Sequence, residues 1–168
     1  MIYSFRNSGF RDPETGVYNH TYFMEVFNRE WHRHIRDKQS LALLYLYPHL
    51  QETTKKAGML ELLTKDVEGA LLRSTDMMGR LNQECFAMGL FNIDDAGTEV
   101  VVERIKAQIA EFLAKYGKDA SLRMDYRIAA CICLPTKDRK PETLFMNTET
   151  MVRLMDSTSE NSAIERLQ

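Results

Sequence analysis

Arg80-Leu81-Asn82-Gln83-Glu84-Cys85-Phe86 lies across two short apolar runs, Met77 to Leu81 and Cys85 to Phe91. Runs of that length around a polar pair read as two strands, with Asn82-Gln83 as the turn between them. On both sides of this hairpin the pattern becomes helical. Upstream, Leu60, Leu63, Val67, Ala70 and Leu71 recur at three- and four-residue spacing, which predicts a helix over 59–72. Downstream, Asp94-Asp95 opens a helix, since acids favour a helix N-terminus, and Gly117 stops it after about Lys115. Farther out, Ser40 to Tyr47 and Arg127 to Leu134 are apolar runs closed by Pro48 and Pro135, each read as a strand. Pro13 and Gly16 mark a turn before a first helix, whose apolar face is Tyr22, Phe23, Val26, Phe27, Trp31 and Ile35. A last helix runs from Pro141 to about Met155, proline being tolerated in a first turn. The polar tail from Ser157 is expected to fray or to add a short edge strand.

The order helix, strand, helix, hairpin, helix, strand, helix predicts an α/β domain with a mixed, mostly antiparallel central sheet flanked by helices. The 168 residues suit one domain spanning 1–168. A charged fraction of 27% and a hydrophobic fraction of 44% are ordinary for a globular protein. The net charge of -2 gives no footprint for nucleic acid or for an anionic membrane. No apolar run approaches the ~20 residues of a membrane helix, and the first residues carry no signal-like apolar core. Cys85, Cys131 and Cys133 have no zinc-like spacing, so free thiols in a reducing, cytoplasmic setting are expected. Cys131 and Cys133 alternate on a strand and face one side, as small core residues. His32 and His34 are two apart on a helix and do not share a face, which argues against a metal pair.

Three segments together resemble the GGDEF family of bacterial diguanylate cyclases, over roughly residues 10–162. They are Arg11-Asp12-Pro13-Glu14-Thr15-Gly16-Val17-Tyr18-Asn19, Arg73-Ser74-Thr75-Asp76 and the hairpin 80–86. The family opens with Asp-x-Leu-Thr-Gly-Leu-x-Asn, and its hairpin reads Arg-Tyr-Gly-Gly-Asp/Glu-Glu-Phe. Here Asn82 and Gln83 replace the two glycines, Glu84 keeps the first acid, Cys85 replaces the second and Phe86 is retained. The resemblance implies a nucleotide-cyclase-like fold and, since family members are often fused to sensors, a protein partner or fused sensor domain.

It also implies that the cyclase chemistry is missing. Magnesium needs oxygen ligands, usually carboxylates shared with phosphates. Tyr47 falls where the family's metal-binding Asp stands, and Cys85 is a soft donor. The guanine-reading segment is replaced by 50–58, which is shorter and lacks the family's Asn and Asp. The phosphate-binding Lys and Arg of the last helix match Asp156 and Glu160, which reverses the sign of the charge. Asn82 and Gln83 add side chains where glycines would let backbone N–H groups approach phosphate. The expectation is a catalytically inactive, degenerate domain with no catalytic residue, bound metal or cofactor.

What survives is Arg73-x-x-Asp76, six residues before Asn82. At this spacing the family builds a product site for cyclic di-GMP. Guanidinium forks onto phosphate or the guanine O6/N7 edge, and the Asp accepts from the N1–H and N2–H₂ edge. Counting from Phe86, Arg104 aligns with a second arginine of that site. The same four residues are also the pattern of a surface ion pair worth ~0–1 kcal/mol. The functional expectation is a cyclic di-GMP receptor acting through Arg73, Asp76 and Arg104. The alternative is a nucleotide-independent interaction or dimerisation module.

Overall fold

The computed structural model describes residues 9–52, 58–117, 122–155 and 160–168. Its elements run α1 (His20–Asp37), β1 (Leu41–Tyr47), β2 (Leu50–Glu52), α2 (Met59–Glu68), β3 (Met77–Asn82), β4 (Cys85–Phe91), α3 (Asp95–Tyr116), β5 (Leu122–Met124), β6 (Arg127–Cys133), α4 (Pro141–Met155) and β7 (Ser162–Arg166). The main sheet has the order β3-β4-β1-β6-β7. All its pairs are antiparallel except β6 with β7. The expected mixed, mostly antiparallel sheet flanked by helices is the architecture found.

β1 is central and buried on both faces, which is why its sequence is a nearly unbroken apolar run. Ala42, Leu44 and Leu46 face α2 and α3, packing with Leu63, Val67, Val102, Ile105 and Phe112. Leu41, Leu43 and Tyr45 face α1 and α4, packing with Phe23, Phe27, Trp31, Leu144 and Met151. Cys131 and Cys133 lie in this second layer as buried thiols. Asn19 caps α1 by accepting from the Tyr22 N–H at 2.9 Å, and Asp94 caps α3 by accepting from the Gly97 N–H at 2.7 Å.

Several sequence expectations are corrected. The apolar face of α1 packs as expected, with Phe23, Phe27 and Trp31 buried and Val26 and Ile35 half-buried against the same cluster, but its buried stripe also includes His34. α2 ends at Glu68, not near 72, because Gly69 caps it and the Ala70 and Leu71 N–H groups turn back onto Val67 and Glu68 carbonyls. The hairpin turn is Gln83-Glu84, not Asn82-Gln83. Asn82 pairs with Cys85 inside the ladder, after an irregularity between Arg80 and Asn82, and its Oδ1 accepts the Glu84 N–H at 2.9 Å. The tail forms an edge strand, β7. A two-stranded ribbon of β2 and β5, absent from the sequence reading, stands apart from the main sheet.

The segment before α1 is tied to the hairpin through backbone. The Tyr18 N–H donates to Met78 O at 3.1 Å and the Arg80 N–H to Tyr18 O at 2.9 Å. Gly79 lies between them, and a Cβ there would sit 2.7 Å from the Cβ of Phe23. Only glycine lets α1 approach β3 this closely.

Candidate functional site

Two regions gather polar side chains, one at each end of the hairpin strands. The first surrounds Arg73 and Asp76 in the turn that leads into β3. The Asp76 N–H donates to Arg73 O at 3.1 Å, and the Arg73 N–H donates to Asp76 Oδ2 at 3.3 Å. The two residues thus bond to each other through backbone N–H groups, and the guanidinium turns away from Asp76. It donates from Nη1 to Asn92 O at 3.2 Å. Asn92 adopts a left-handed conformation (φ 51°) where β4 leaves the sheet, an arrangement asparagine tolerates better than most residues.

Arg73 and Arg104 line one concavity of about 610 Å³, with Lys38, Asn92, Asp94 and Val100 among its other walls. That lies within the ~300–1,000 Å³ of small-molecule sites. Arg104 comes from the third turn of α3, and both arginines are exposed. Asp76 opens instead onto a smaller adjoining groove of about 220 Å³ with Tyr18, Tyr22 and Arg29. Its Oδ1 is buried and has no hydrogen-bond partner. Burial holds the Asp76 carboxyl above the usual carboxylate range, partly offset by the Arg73 N–H and by the charges of Arg73 and Arg104. The three residues singled out from sequence therefore form one electrostatic neighbourhood, although only the two arginines share a concavity.

The second region lies at the hairpin tip. Arg80 is buried, and its guanidinium donates to Asp12 Oδ2 at 3.0 Å, Glu14 Oε1 at 2.7 Å and Gln83 O at 2.8 Å. It also lies over the Phe86 ring, 5.2 Å from its centroid. Asp12 Oδ2 in turn accepts from Thr15 Oγ1 at 2.6 Å, which fixes the turn at 12–16. The sequence reading missed this network, although both of its parts belong to motifs quoted there. Asn82 and Glu84 are exposed, and Cys85 is buried against α1 and α4.

On the other side of Cys85, the Tyr47 hydroxyl donates to Glu149 Oε2 at 2.9 Å. Burial, Cys85 and Glu149 push the Tyr47 phenol well above its ordinary value. Burial pushes the Cys85 thiol up to about 12, with the neighbouring Tyr47 opposing it. Both groups are neutral at physiological pH. Glu160 is exposed, while Asp156 and Thr53 to Ala57 lie outside the described residues.

The family described as "Diguanylate cyclase, GGDEF domain" matches residues 10–162. The chain belongs to the GGDEF family. Among solved structures, a GGDEF-containing fragment of Vibrio cholerae LapD, bound to c-di-GMP, has a TM-score of 0.74 at 13% identity, covering 98% of this chain and 39% of that one. Pseudomonas aeruginosa diguanylate cyclase SiaD, in complex with its activator SiaC, has a TM-score of 0.74 at 18% identity, covering 97% of this chain and 64% of that one. The GGDEF domain of Caulobacter crescentus DgcB, in complex with c-di-GMP, has a TM-score of 0.73 at 13% identity, covering 94% of this chain and 93% of that one. At these identities the likeness is one of fold. This GGDEF chain spans about two fifths of the LapD fragment and less than two thirds of SiaD. No curated protein matches it in sequence. No helix among the described residues is long and apolar enough to cross a membrane.

Proposed function

We propose that this GGDEF domain does not cyclise GTP and acts as a cyclic di-GMP receptor through Arg73, Asp76 and Arg104. The observation that carries the reading is the convergence of two exposed guanidinium groups on one concavity, beside a carboxylate with an unpartnered oxygen. Arginine forks suit phosphates and the guanine O6/N7 edge. A carboxylate suits the guanine N–H edge. The LapD and DgcB structures hold c-di-GMP, which agrees with a role for this family in cyclic di-GMP signalling.

The residues at the catalytic positions do not fit magnesium. Tyr47 and Cys85 are neutral, and the Tyr47 hydroxyl is already committed to Glu149. Among the described residues, no three His, Cys, Asp or Glu side chains gather to hold a metal. Glu84 stays on the surface of the turn, and Asn82 and Gln83 carry side chains at the positions where the family's glycines would let backbone approach phosphate. The receptor passes its occupancy to a protein partner, with a fused sensor domain as the expected input; SiaD was solved in complex with a protein, its activator SiaC.

The test is calorimetry on one sample with cyclic di-GMP and with GTP-Mg²⁺. Saturable heat with the dinucleotide and none with GTP-Mg²⁺ is expected. No heat with cyclic di-GMP to high micromolar concentration leaves a nucleotide-independent interaction module as the better account.

A further inference from the structure

The concavity that holds Arg73 and Arg104 has a third wall, the end of α1. That helix stops at Asp37, and Lys38 caps it in a left-handed conformation (φ 54°, ψ 50°). The Lys38 and Gln39 N–H groups both turn back to His34 O, the second at 3.1 Å. This reversal puts Lys38, Gln39 and Ser40 on the lining beside the two arginines.

His34 joins this wall to the arginine side. Its ring is buried, with Nδ1 2.7 Å from Glu30 O and Nε2 2.9 Å from the Asn92 N–H. These contacts require a neutral imidazole that donates from Nδ1 and accepts at Nε2. The same Asn92 offers its carbonyl to Arg73. Ser40 O accepts the Ile93 N–H at 3.0 Å, closing the seam between the end of α1 and the loop that opens α3. The position of Lys38 relative to Arg73 is therefore fixed by a chain of bonds.

Lys38, Arg73 and Arg104 take no part in the ion pairs formed among the described residues. The one carboxylate on the lining, Asp94, is engaged by the Gly97 N–H at the start of α3. On the lining itself three cations stand against one carboxylate. With the Asp76 carboxylate of the neighbouring groove counted, one net positive charge remains for a phosphate, and without Lys38 none would. A left-handed helix cap is also a place where glycine is the lower-cost residue, so the fold alone does not call for lysine there.

Building on the receptor reading above, we propose that Lys38 is a third ligand-binding cation, holding a phosphate that the arginines leave uncovered. Lys38→Gly and Lys38→Arg are compared with wild type in titrations with cyclic di-GMP and, separately, inorganic pyrophosphate. Amide shifts and thermal unfolding are followed in parallel. Lys38→Gly should weaken both ligands about fivefold to tenfold without lowering the unfolding midpoint, and Lys38→Arg should retain binding. Wild-type binding of cyclic di-GMP that Lys38→Gly leaves unchanged overturns the role of Lys38 and leaves the receptor reading standing. Pyrophosphate shifts at Lys38, Asn92 and Arg104 that Lys38→Gly weakens, without cyclic di-GMP binding, sink the receptor reading and keep the cation site. No binding of either ligand sinks both.

Discussion

The Arg80 guanidinium meets Asp12 at 3.0 Å, although the two residues are 68 positions apart in sequence. One side chain thereby fastens the turn before α1 to the tip of the hairpin. Arg80 is 8% exposed and also satisfies the Gln83 carbonyl. Its removal leaves the part-buried Asp12 carboxylate without its cation, held only by Thr15, and takes the guanidinium donor from the Gln83 carbonyl. Arg80→Met should cost about 3 kcal/mol, in the manner of a broken buried pair. Denaturant unfolding of Arg80→Met, Asp12→Ala and the double variant checks this. Additive losses would show that the pair is not coupled.

Trp31 is 1% exposed, between Phe27 and His34 on the buried stripe of α1. Trp31→Ala should destabilise the domain by roughly 3–5 kcal/mol through lost burial and the cavity left behind. A chemical-denaturation midpoint that does not move would contradict that packing.

The strands and helices that the sequence made legible are those with a strong period and a punctuating residue. β1 is closed by Pro48, α3 is opened by Asp94 and stopped by Gly117, and α4 opens at Pro141. Three-residue strands such as β2 and β5 have no period to read. The burial of His34 depends on the Asn92 N–H, 58 positions away, so no local pattern marks it. The hairpin turn was displaced by one residue because the Asn82 side chain serves the Glu84 N–H from within the ladder. At the candidate site the residue types were readable, since Arg and Asp stand at fixed offsets from the hairpin. The reciprocal backbone bonds between Arg73 and Asp76, and the wall supplied by Lys38, depend on tertiary folding and were not.

Incubated with GTP and Mg²⁺ or Mn²⁺, the purified protein should make no detectable cyclic di-GMP. Tyr47 and Cys85 offer neutral groups where two-metal chemistry needs carboxylates. Turnover that scales with protein and vanishes in Glu84→Ala would refute this.

Arg73→Ala should weaken cyclic di-GMP binding about tenfold to a hundredfold, the range of one charge-assisted hydrogen bond at ~1.5–3 kcal/mol. On the proposed receptor reading, in which the carboxylate reads the base edge, Asp76→Ala should reduce discrimination between guanine and adenine dinucleotides more than Arg73→Ala does. Added salt should weaken binding through screening of the phosphate contacts. Equal losses for both dinucleotides in Asp76→Ala would remove Asp76 from base recognition.

On the proposed receptor reading Asp76 sets stability against binding, and pH separates the two. Burial raises its folded-state value above the ordinary 3.8. Between the ordinary and the raised value the folded protein holds more protons than the unfolded chain, so stability falls as pH rises through that window. Above it the carboxylate is ionised in both states, and the cost of its buried, unpartnered oxygen is fully expressed. Asp76→Asn keeps an acceptor for the Arg73 N–H and removes the charge. Its unfolding midpoint should exceed that of wild type near pH 7, and the difference should shrink as pH falls toward about 4. Guanine donors favour the ionised form, so cyclic di-GMP affinity should move the other way and decline with acidification in wild type but not in Asp76→Asn. Thermal unfolding and calorimetry at the same pH values measure both. A midpoint for Asp76→Asn below wild type near pH 7 would mean that the Asp76 charge supports the fold and would leave the trade-off without a basis.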